Sequence, residues 1–204
     1  MKVSCVSTAC FFALGFVLHA QMHRAEQDRE ITYWLQAPQT HQFRISHDFN
    51  VTRLGQSSVH SFVRKGSIVS ASAIYDLDTG EKLPVYNVTG KAVNALGYYP
   101  APSPDDMVVV QGDLPHPLAA GESARVRVIE TYTDPESYRI SNGELTWDRT
   151  LARPRNTVVL PAGWFLTEVT VPAIISLDPD GRLMLRFNNP RNDEIHVVLK
   201  AKHR

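Results

Sequence analysis

Short β-rich segments separated by turn signals recur along the chain after residue 30, and this pattern constrains the fold most. In the first half, ITYWLQ stops before Ala37-Pro38 and IVSASAIYDL ends at Asp78-Thr79-Gly80. In the second half, hairpin signals lie at Ser141-Asn142-Gly143 and at Asp178-Pro179-Asp180-Gly181. No window of the first half shows an apolar stripe of helical period bounded by caps. The sequence therefore predicts an all-β protein, an antiparallel β-sandwich of one or two packed halves.

The N-terminus has the layout of a secretory signal peptide. Lys2 precedes an apolar run from Ala9 to Leu18, and a small residue, Ala20, closes the segment before a polar stretch. The apolar run is shorter than the roughly 18 residues that a membrane span requires. We expect cleavage after Ala20 and a secreted or periplasmic protein without an integral membrane span in its mature chain, with a retained anchor as the alternative.

Both cysteines, Cys5 and Cys10, lie within that predicted signal peptide. The mature chain would then contain no cysteine. This excludes disulfides, thiolate catalysis and cysteine metal ligands, so the folded part must depend on its hydrophobic core.

The remaining chain is predicted to form one domain. Residues 21–30 are polar without periodicity and are expected to be a flexible lead-in, and residues 31–204 to be a single β-sandwich. A proline-rich joint is predicted at 97–117, around the short apolar segment MVVV.

Charge and composition exclude two classes of partner. The chain has 21 basic and 21 acidic side chains, so it lacks the concentrated positive field that nucleic acids or anionic membranes require. Two sequons, Asn50-Val51-Thr52 and Asn87-Val88-Thr89, would matter in a eukaryotic secretory pathway, and their glycosylation is left open.

Familiar catalytic signatures are absent from the sequence. It contains no HExxH helix, no GxSxG elbow and no phosphate-binding glycine loop, and no cofactor is expected. Acidic residues cluster at Asp105-Asp106 and in the second half, but paired carboxylates act in glycoside hydrolysis only at a defined separation across a cleft. A hydrolase with an unfamiliar site therefore stays an alternative.

Two histidines share the apolar side of the segment HQFRISHDFN if it is extended. His41 and His47 are then about 20 Å apart along one strand, too far to bind one ion together. If the segments 41–53 and 57–64 pair through the turn between them, His47 lies near His60. This pair is the one metal hypothesis that the sequence leaves, against histidines that bond to the backbone at the rim of the core.

Aromatic and arginine side chains mark two possible contact surfaces. Tyr98 and Tyr99 adjoin the proline-rich segment, and TWDRTLARPRN contains Trp147, Arg149, Arg153 and Arg155. Arginines beside an aromatic ring suit a carboxylate, a sugar or another protein. The alternative is a solvated loop with Trp147 held in the core.

The stretches ITYWLQAPQTHQFRISHDF and VVLPAGWFL resemble the N-terminal β domains of secreted zinc aminopeptidases of the glycyl aminopeptidase and aminopeptidase N-like kind. In those domains a strand of the form Y-x-L, then P, then H-x-F-x-V/I opens a β-saddle, and an LP-x-GW turn recurs. The chain does not contain the zinc-binding catalytic domain of that family. The resemblance therefore implies a β-sandwich accessory module, and neither a metal nor peptidase activity.

These observations together predict an exported, non-catalytic β-sandwich module that binds a protein or glycan partner. The alternatives are a hydrolase with a histidine-metal or paired-carboxylate site, and a structural protein of the cell envelope.

Overall fold

The computed structural model describes residues 27–97 and 102–204, which form fifteen strands and two short 3₁₀ helices. The 3₁₀ helices are Pro38–Thr40 and Gly90–Leu96. The strands are β1 (Arg29–Leu35), β2 (Gln42–Val51), β3 (Ser58–Phe62), β4 (Ile68–Asp76), β5 (Lys82–Leu83), β6 (Val85–Thr89), β7 (Val108–Asp113), β8 (Ala124–Thr133), β9 (Tyr138–Ser141), β10 (Glu144–Leu151), β11 (Arg155–Val159), β12 (Trp164–Val169), β13 (Ile174–Leu177), β14 (Leu183–Asn188) and β15 (Ile195–His203).

The strands form three sheets. The large sheet has eight strands in the order β13-β14-β11-β1-β2-β8-β4-β5, and the smaller sheets have the orders β12-β15-β10-β9 and β3-β7-β6. Within the described residues every pairing is antiparallel except that of β1 with β11, which is parallel. The all-β sandwich predicted from the sequence is confirmed.

Strand β2 shows why the alternating pattern produces a sheet with one covered face. Phe43, Ile45 and Phe49 are buried, whereas Arg44 and Asn50 are exposed. Successive side chains of a strand point to opposite faces, so one face of β2 is apolar and the other polar. Full-length pairing with β1 on one side and β8 on the other extends that apolar face across the sheet.

Two hydrophobic cores lie side by side on the covered face of the large sheet. The first joins the large sheet to the four-stranded sheet and includes the fully buried Trp147 and Tyr138. The second joins the large sheet to the three-stranded sheet around Val59 and Ile74. Val63 is partly buried and packs against both cores. The two small sheets therefore lie side by side on one face of the large sheet, with Val63 between their cores.

Gly112 allows the three-stranded sheet to approach the large sheet closely. A Cβ atom at this position of β7 would lie 2.6 Å from Cδ1 of Ile74 in β4. Because that distance is well inside van der Waals contact, any larger residue would force the two sheets apart or push Ile74 from its place.

Hairpins predicted from turn residues are confirmed. Strands β9 and β10 pair through Asn142 and Gly143, which have φ angles of 51° and 74°. Two residues with positive φ are what a two-residue hairpin turn requires. The DPDG turn likewise joins β13 to β14.

Other pairings implied by sequence proximity are wrong. Strand β2 does not pair with β3, because β3 belongs to the three-stranded sheet and pairs with β7. Strands β14 and β15 are adjacent in sequence but lie in different sheets, β14 in the large sheet and β15 in the four-stranded sheet. In addition, β1 begins at Arg29 rather than at Ile31, so the predicted lead-in reaches into the first strand.

Candidate functional site

A cleft of about 460 Å³ opens over the middle of the large sheet. Its floor consists of inward side chains of β1, β2 and β8, and its walls come from β3 and from the end of β10 with the residues after it. Its volume lies in the range of about 300 to 1,000 Å³ that is typical of small-molecule sites. The junction of two cores leaves this space because neither small sheet covers the sheet centre completely.

Sheet register places the floor residues in rows. Arg29, Ile31 and Tyr33 alternate along β1 toward the cleft, and Ile31 pairs with His47 of β2. Ile45, which pairs with Tyr33, has Glu130 of β8 as its other neighbour. Arg29 therefore lies at one end of the floor and Glu130 toward the other.

Arg29 and Arg153 bring two positive charges to the same end of the cleft. Burial, together with the positive charge of Arg153, lowers the pKa of Arg29 to about 10. The Arg29 guanidinium also lies 4.8 Å from the ring centre of Phe49, a favourable cation–π geometry. Two guanidinium groups that repel one another form a region where an anion would be stabilised.

His47 adds an unused hydrogen-bonding atom beside this pair. Its Nε2 atom is buried and has no hydrogen-bond partner among the described residues. Burial, together with the positive charges of Arg153 and Arg29, lowers the pKa of His47 to about 3. The imidazole is therefore neutral at physiological pH, and its ring packs 4.6 Å from that of Phe49. A buried polar atom without a partner is costly unless a ligand or water satisfies it.

Glu130 contributes a buried carboxyl group to the floor. Its side chain is 3% exposed, and Ser61 of β3 donates a hydrogen bond to Oε2 at 3.0 Å. Burial raises the pKa of Glu130 to about 7, an effect that the hydrogen bond from Ser61 partly opposes. The neighbouring Tyr132 also has a raised pKa because of burial and the nearby Glu130. Glu130 is therefore mostly protonated at pH 6 and about half ionised at pH 7.

Arg149 lies in a closed ion pair. Its Nη1 atom is 3.1 Å from Oδ2 of Asp134, and the two side chains are 6% and 5% exposed. The guanidinium lies 4.9 Å from the ring centre of Phe43, and the Ser137 hydroxyl donates to Asp134 at 2.7 Å. Because Asp134 neutralises this arginine, Arg149 shapes the end of the cleft more than it adds charge to it.

The mouth of the cleft is formed by exposed side chains of the segment from β3 to β4. Phe62 is 42% exposed, and Arg64 is exposed and donates from Nη2 to the carbonyl oxygen of Thr150 at 3.0 Å. This contact joins the β3 side of the cleft to the β10 side. The cleft is therefore open to solvent at a rim that carries another arginine.

Only some of the binding residues predicted from the sequence lie in the cleft. Arg149 and Arg153 line the cleft. Trp147 has no solvent exposure and packs 5.3 Å from the ring of Tyr33, so its assignment to a contact surface is corrected to a core position. Arg155 is exposed and forms an ion pair with Asp28 outside the cleft. Tyr98 and Tyr99 lie outside the described residues.

The metal hypothesis also changes. His47 and His60 do line the same cleft, although their strands do not pair. The Nε2 atom of His60 lies 3.2 Å from the Oε1 atom of Gln111. The positive charges of the arginines beside His47 disfavour a bound metal cation. No group of three or more histidine, cysteine, aspartate or glutamate residues that could hold a metal occurs in residues 27–97 and 102–204.

Three charged residues of the cleft were missed from the sequence, namely Arg29, Arg64 and Glu130, as were the polar Ser61 and Tyr132. Arg29 precedes ITYWL in phase with Ile31 and Tyr33, and Glu130 occupies an inward position of the alternating strand ARVRVIETYT. A charged residue at the inward position of an amphipathic strand is the signal that could have identified Arg29 and Glu130.

Comparison with known proteins identifies a likeness of fold. No protein-family model and no curated protein matches the sequence. The M1 zinc metallopeptidase from Deinococcus radiodurans is 15% identical, with a TM-score of 0.48 over 85% of this chain and 41% of that one. An aminopeptidase N family protein from Idiomarina loihiensis is 13% identical, with a TM-score of 0.46 over 84% of this chain and 29% of that one.

The chain thus spans less than half the length of these solved proteins. The resemblance to zinc aminopeptidases predicted from the sequence is confirmed as a likeness of fold, and it says nothing about activity. In the part of the chain that the structure describes, no helix is long and apolar enough to cross a membrane.

Proposed function

We propose that the protein is an exported, non-catalytic β-sandwich module that binds a partner through an acidic group held in the cleft. The observation that carries this proposal is the placement of Arg29 and Arg153 beside the unpartnered Nε2 atom of His47. An acid group there would neutralise two mutually repelling charges and could accept hydrogen bonds from both guanidinium groups. The predicted signal peptide supports export.

The small number of carboxyl groups in the cleft favours binding over hydrolysis. Glu130 is the one carboxyl group among the described residues that line the cleft. Glycoside hydrolysis by the common mechanism requires two carboxyl groups across the scissile bond. Asp134, the next acid along the chain, is held by Arg149 and by serine hydroxyls.

The anion site can be tested with acetate and inorganic sulfate as probes. Titrations of the full chain, followed by the ¹⁵N signals of the arginine Nε groups and of the His47 ring, should show saturable shifts at Arg29, Arg153 and His47. Because a charge-assisted hydrogen bond contributes about 1.5 to 3 kcal/mol, Arg29→Gln should weaken binding at least tenfold. The matched control is Arg186→Gln, since Arg186 is exposed on β14 and does not line the cleft.

Two results would contradict the anion site. One is the absence of saturable shifts with either probe. The other is an equal loss of affinity in the Arg29→Gln and Arg186→Gln variants, which would indicate a general effect of net charge.

Export is tested separately by fusing residues 1–30 to a reporter enzyme that is active only outside the bacterial cytoplasm. Activity is expected from this fusion, and intact-mass analysis should show that residues 1–20 are removed. A control fusion carries a charged residue in the apolar run, Phe12→Arg, and should remain inactive. An inactive fusion with the unaltered segment would refute the export prediction.

A further inference from the structure

The cleft is chemically divided between its two ends. Arg29 and Arg153 make one end cationic, whereas at pH 6 the other end presents mostly uncharged hydrogen-bonding groups from Ser61, Glu130 and Tyr132. A ligand that bonds to both ends must therefore carry an acid group at one end and uncharged polar groups at the other.

The length of the floor excludes the smallest acids as ligands for both ends. Arg29 and Tyr33 are four residues apart on β1, and Tyr33 lies in the row of Ile45 and Glu130. At a strand rise of about 3.3 Å per residue the two rows are about 13 Å apart along the strand. The Arg29 guanidinium stays in its own row, over the ring of Phe49, so a two-carbon acid cannot reach from one end to the other.

Phe62 supplies exposed aromatic surface at the mouth of this path, whereas the rings of Phe49 and Tyr33 on its floor are largely covered by neighbouring side chains. Phe49 lies on the floor beside Arg29, Tyr33 lies farther along β1, and Phe62 is 42% exposed at the mouth. Sugar rings expose apolar C–H faces between their hydroxyl groups, and such faces pack on aromatic side chains. A hydroxylated ring with apolar C–H faces thus matches both the polar and the apolar parts of the wall.

A positively charged group on the ligand is disfavoured. Arg29, Arg64 and Arg153 line the cleft, and the carboxyl group of Glu130, with a pKa of about 7, is mostly uncharged at pH 6. The ammonium group of an amino acid or a peptide N-terminus would therefore meet repulsion without a carboxylate to bind.

From these features we infer that the ligand is a sugar acid, with its carboxylate between Arg29 and Arg153 and its hydroxyl groups toward Ser61, Glu130 and Tyr132. This inference rests on the proposed function and names the chemical class of the partner's acidic group. It assigns the partner to acidic glycans in preference to acidic proteins.

Binding of four probes to the full chain by calorimetry at pH 6 tests this assignment: D-glucuronate, D-glucose, acetate and L-glutamate. Glucuronate should bind at least tenfold more tightly than each of the others, because only it satisfies both ends of the cleft without an ammonium group. Arg29→Gln should abolish this binding. Ser61→Ala should reduce the preference for glucuronate over acetate by about fivefold, the loss expected from one hydrogen bond of about 1 kcal/mol.

The outcomes separate the inference from the proposed function. If acetate or glutamate binds as tightly as glucuronate and Arg29→Gln removes both, the anion site stands and the sugar-acid assignment is overturned. If glucose binds as tightly as glucuronate, the cleft recognises sugars without the arginines, which also overturns the assignment. If no probe binds, the proposed function itself fails.

Discussion

Replacing Glu130 by glutamine tests the electrostatics of the cleft quantitatively. The glutamine keeps the size of the side chain and an oxygen that can accept the hydrogen bond from Ser61, but it cannot ionise. In the folded protein the pKa of Glu130 is about 7, against 4.5 for an unperturbed group. The native state therefore binds a proton that the unfolded state releases between these two values.

The sign of the effect follows from proton linkage. A raised carboxyl pKa leaves the folded state at full stability below pH 4.5, and stability is lost as pH rises through about 7. The shift from 4.5 to about 7 corresponds to about 3 kcal/mol at about 1.4 kcal/mol per pH unit. Glu130→Gln should thus match the wild type near pH 4.5 and exceed its free energy of unfolding by about 3 kcal/mol at pH 8.

Urea denaturation of both proteins at half-unit steps from pH 4.5 to 8 measures this difference directly. The matched control is Glu136→Gln, because Glu136 is an exposed glutamate that does not line the cleft. A difference between wild type and Glu130→Gln that stays constant across the pH range would refute the assignment of a raised pKa. So would a variant less stable than the wild type at pH 8.

Three further predictions concern the core and the histidine. Arg149→Leu should lower the free energy of unfolding by about 3 to 5 kcal/mol, because it leaves the buried Asp134 carboxylate without its ion-pair partner. In urea denaturation, adding Asp134→Asn to this variant should recover part of the loss. If the losses of the two substitutions simply add, the pairing is contradicted. Gly112→Ala should destabilise by about 1 to 3 kcal/mol through contact with Ile74, and Ile74→Val in the same chain should relieve part of it in thermal unfolding. His47 should be neutral at pH 5 in ¹⁵N spectra, because its pKa in the folded protein is about 3. The contribution of this group to stability is then full above pH 6.5 and falls as the pH is lowered toward 3. A titration midpoint above pH 6 would be incompatible with its buried position.

The local part of the fold could be predicted because its causes are local. Alternation along β2 depends on the two-residue period of a strand, and the β9–β10 turn depends on the positive φ angles of Asn142 and Gly143. Pairing between strands far apart in the chain could not be predicted in the same way. The β1–β11 pair joins residues more than a hundred positions apart, and no periodicity specifies such a partner.

The candidate site shows the same division. Arg149 and Arg153 were recognised as arginines beside an aromatic residue, but Arg149 proved to be enclosed by Asp134 and aromatic rings while Arg153 lines the cleft. Arg29 acquires its significance only because β1 lies beside β2 and thereby places it near His47. A charged residue at an inward position of a single strand predicts that its side chain is buried. It does not reveal which side chains of other strands will surround it.

By itself the sequence determined the fold class and the local structure: an all-β chain with amphipathic strands, tight hairpins and a predicted signal peptide. These features follow from periodicity, turn residues and an apolar N-terminal run, all of which act over short distances along the chain. Only the tertiary structure decided that two small sheets share one face of a large sheet, and that their junction leaves an open cleft. That cleft collects Arg29, Glu130 and Arg153 from distant parts of the chain. Their charges and protonation depend on burial and on neighbours, and those are set by packing.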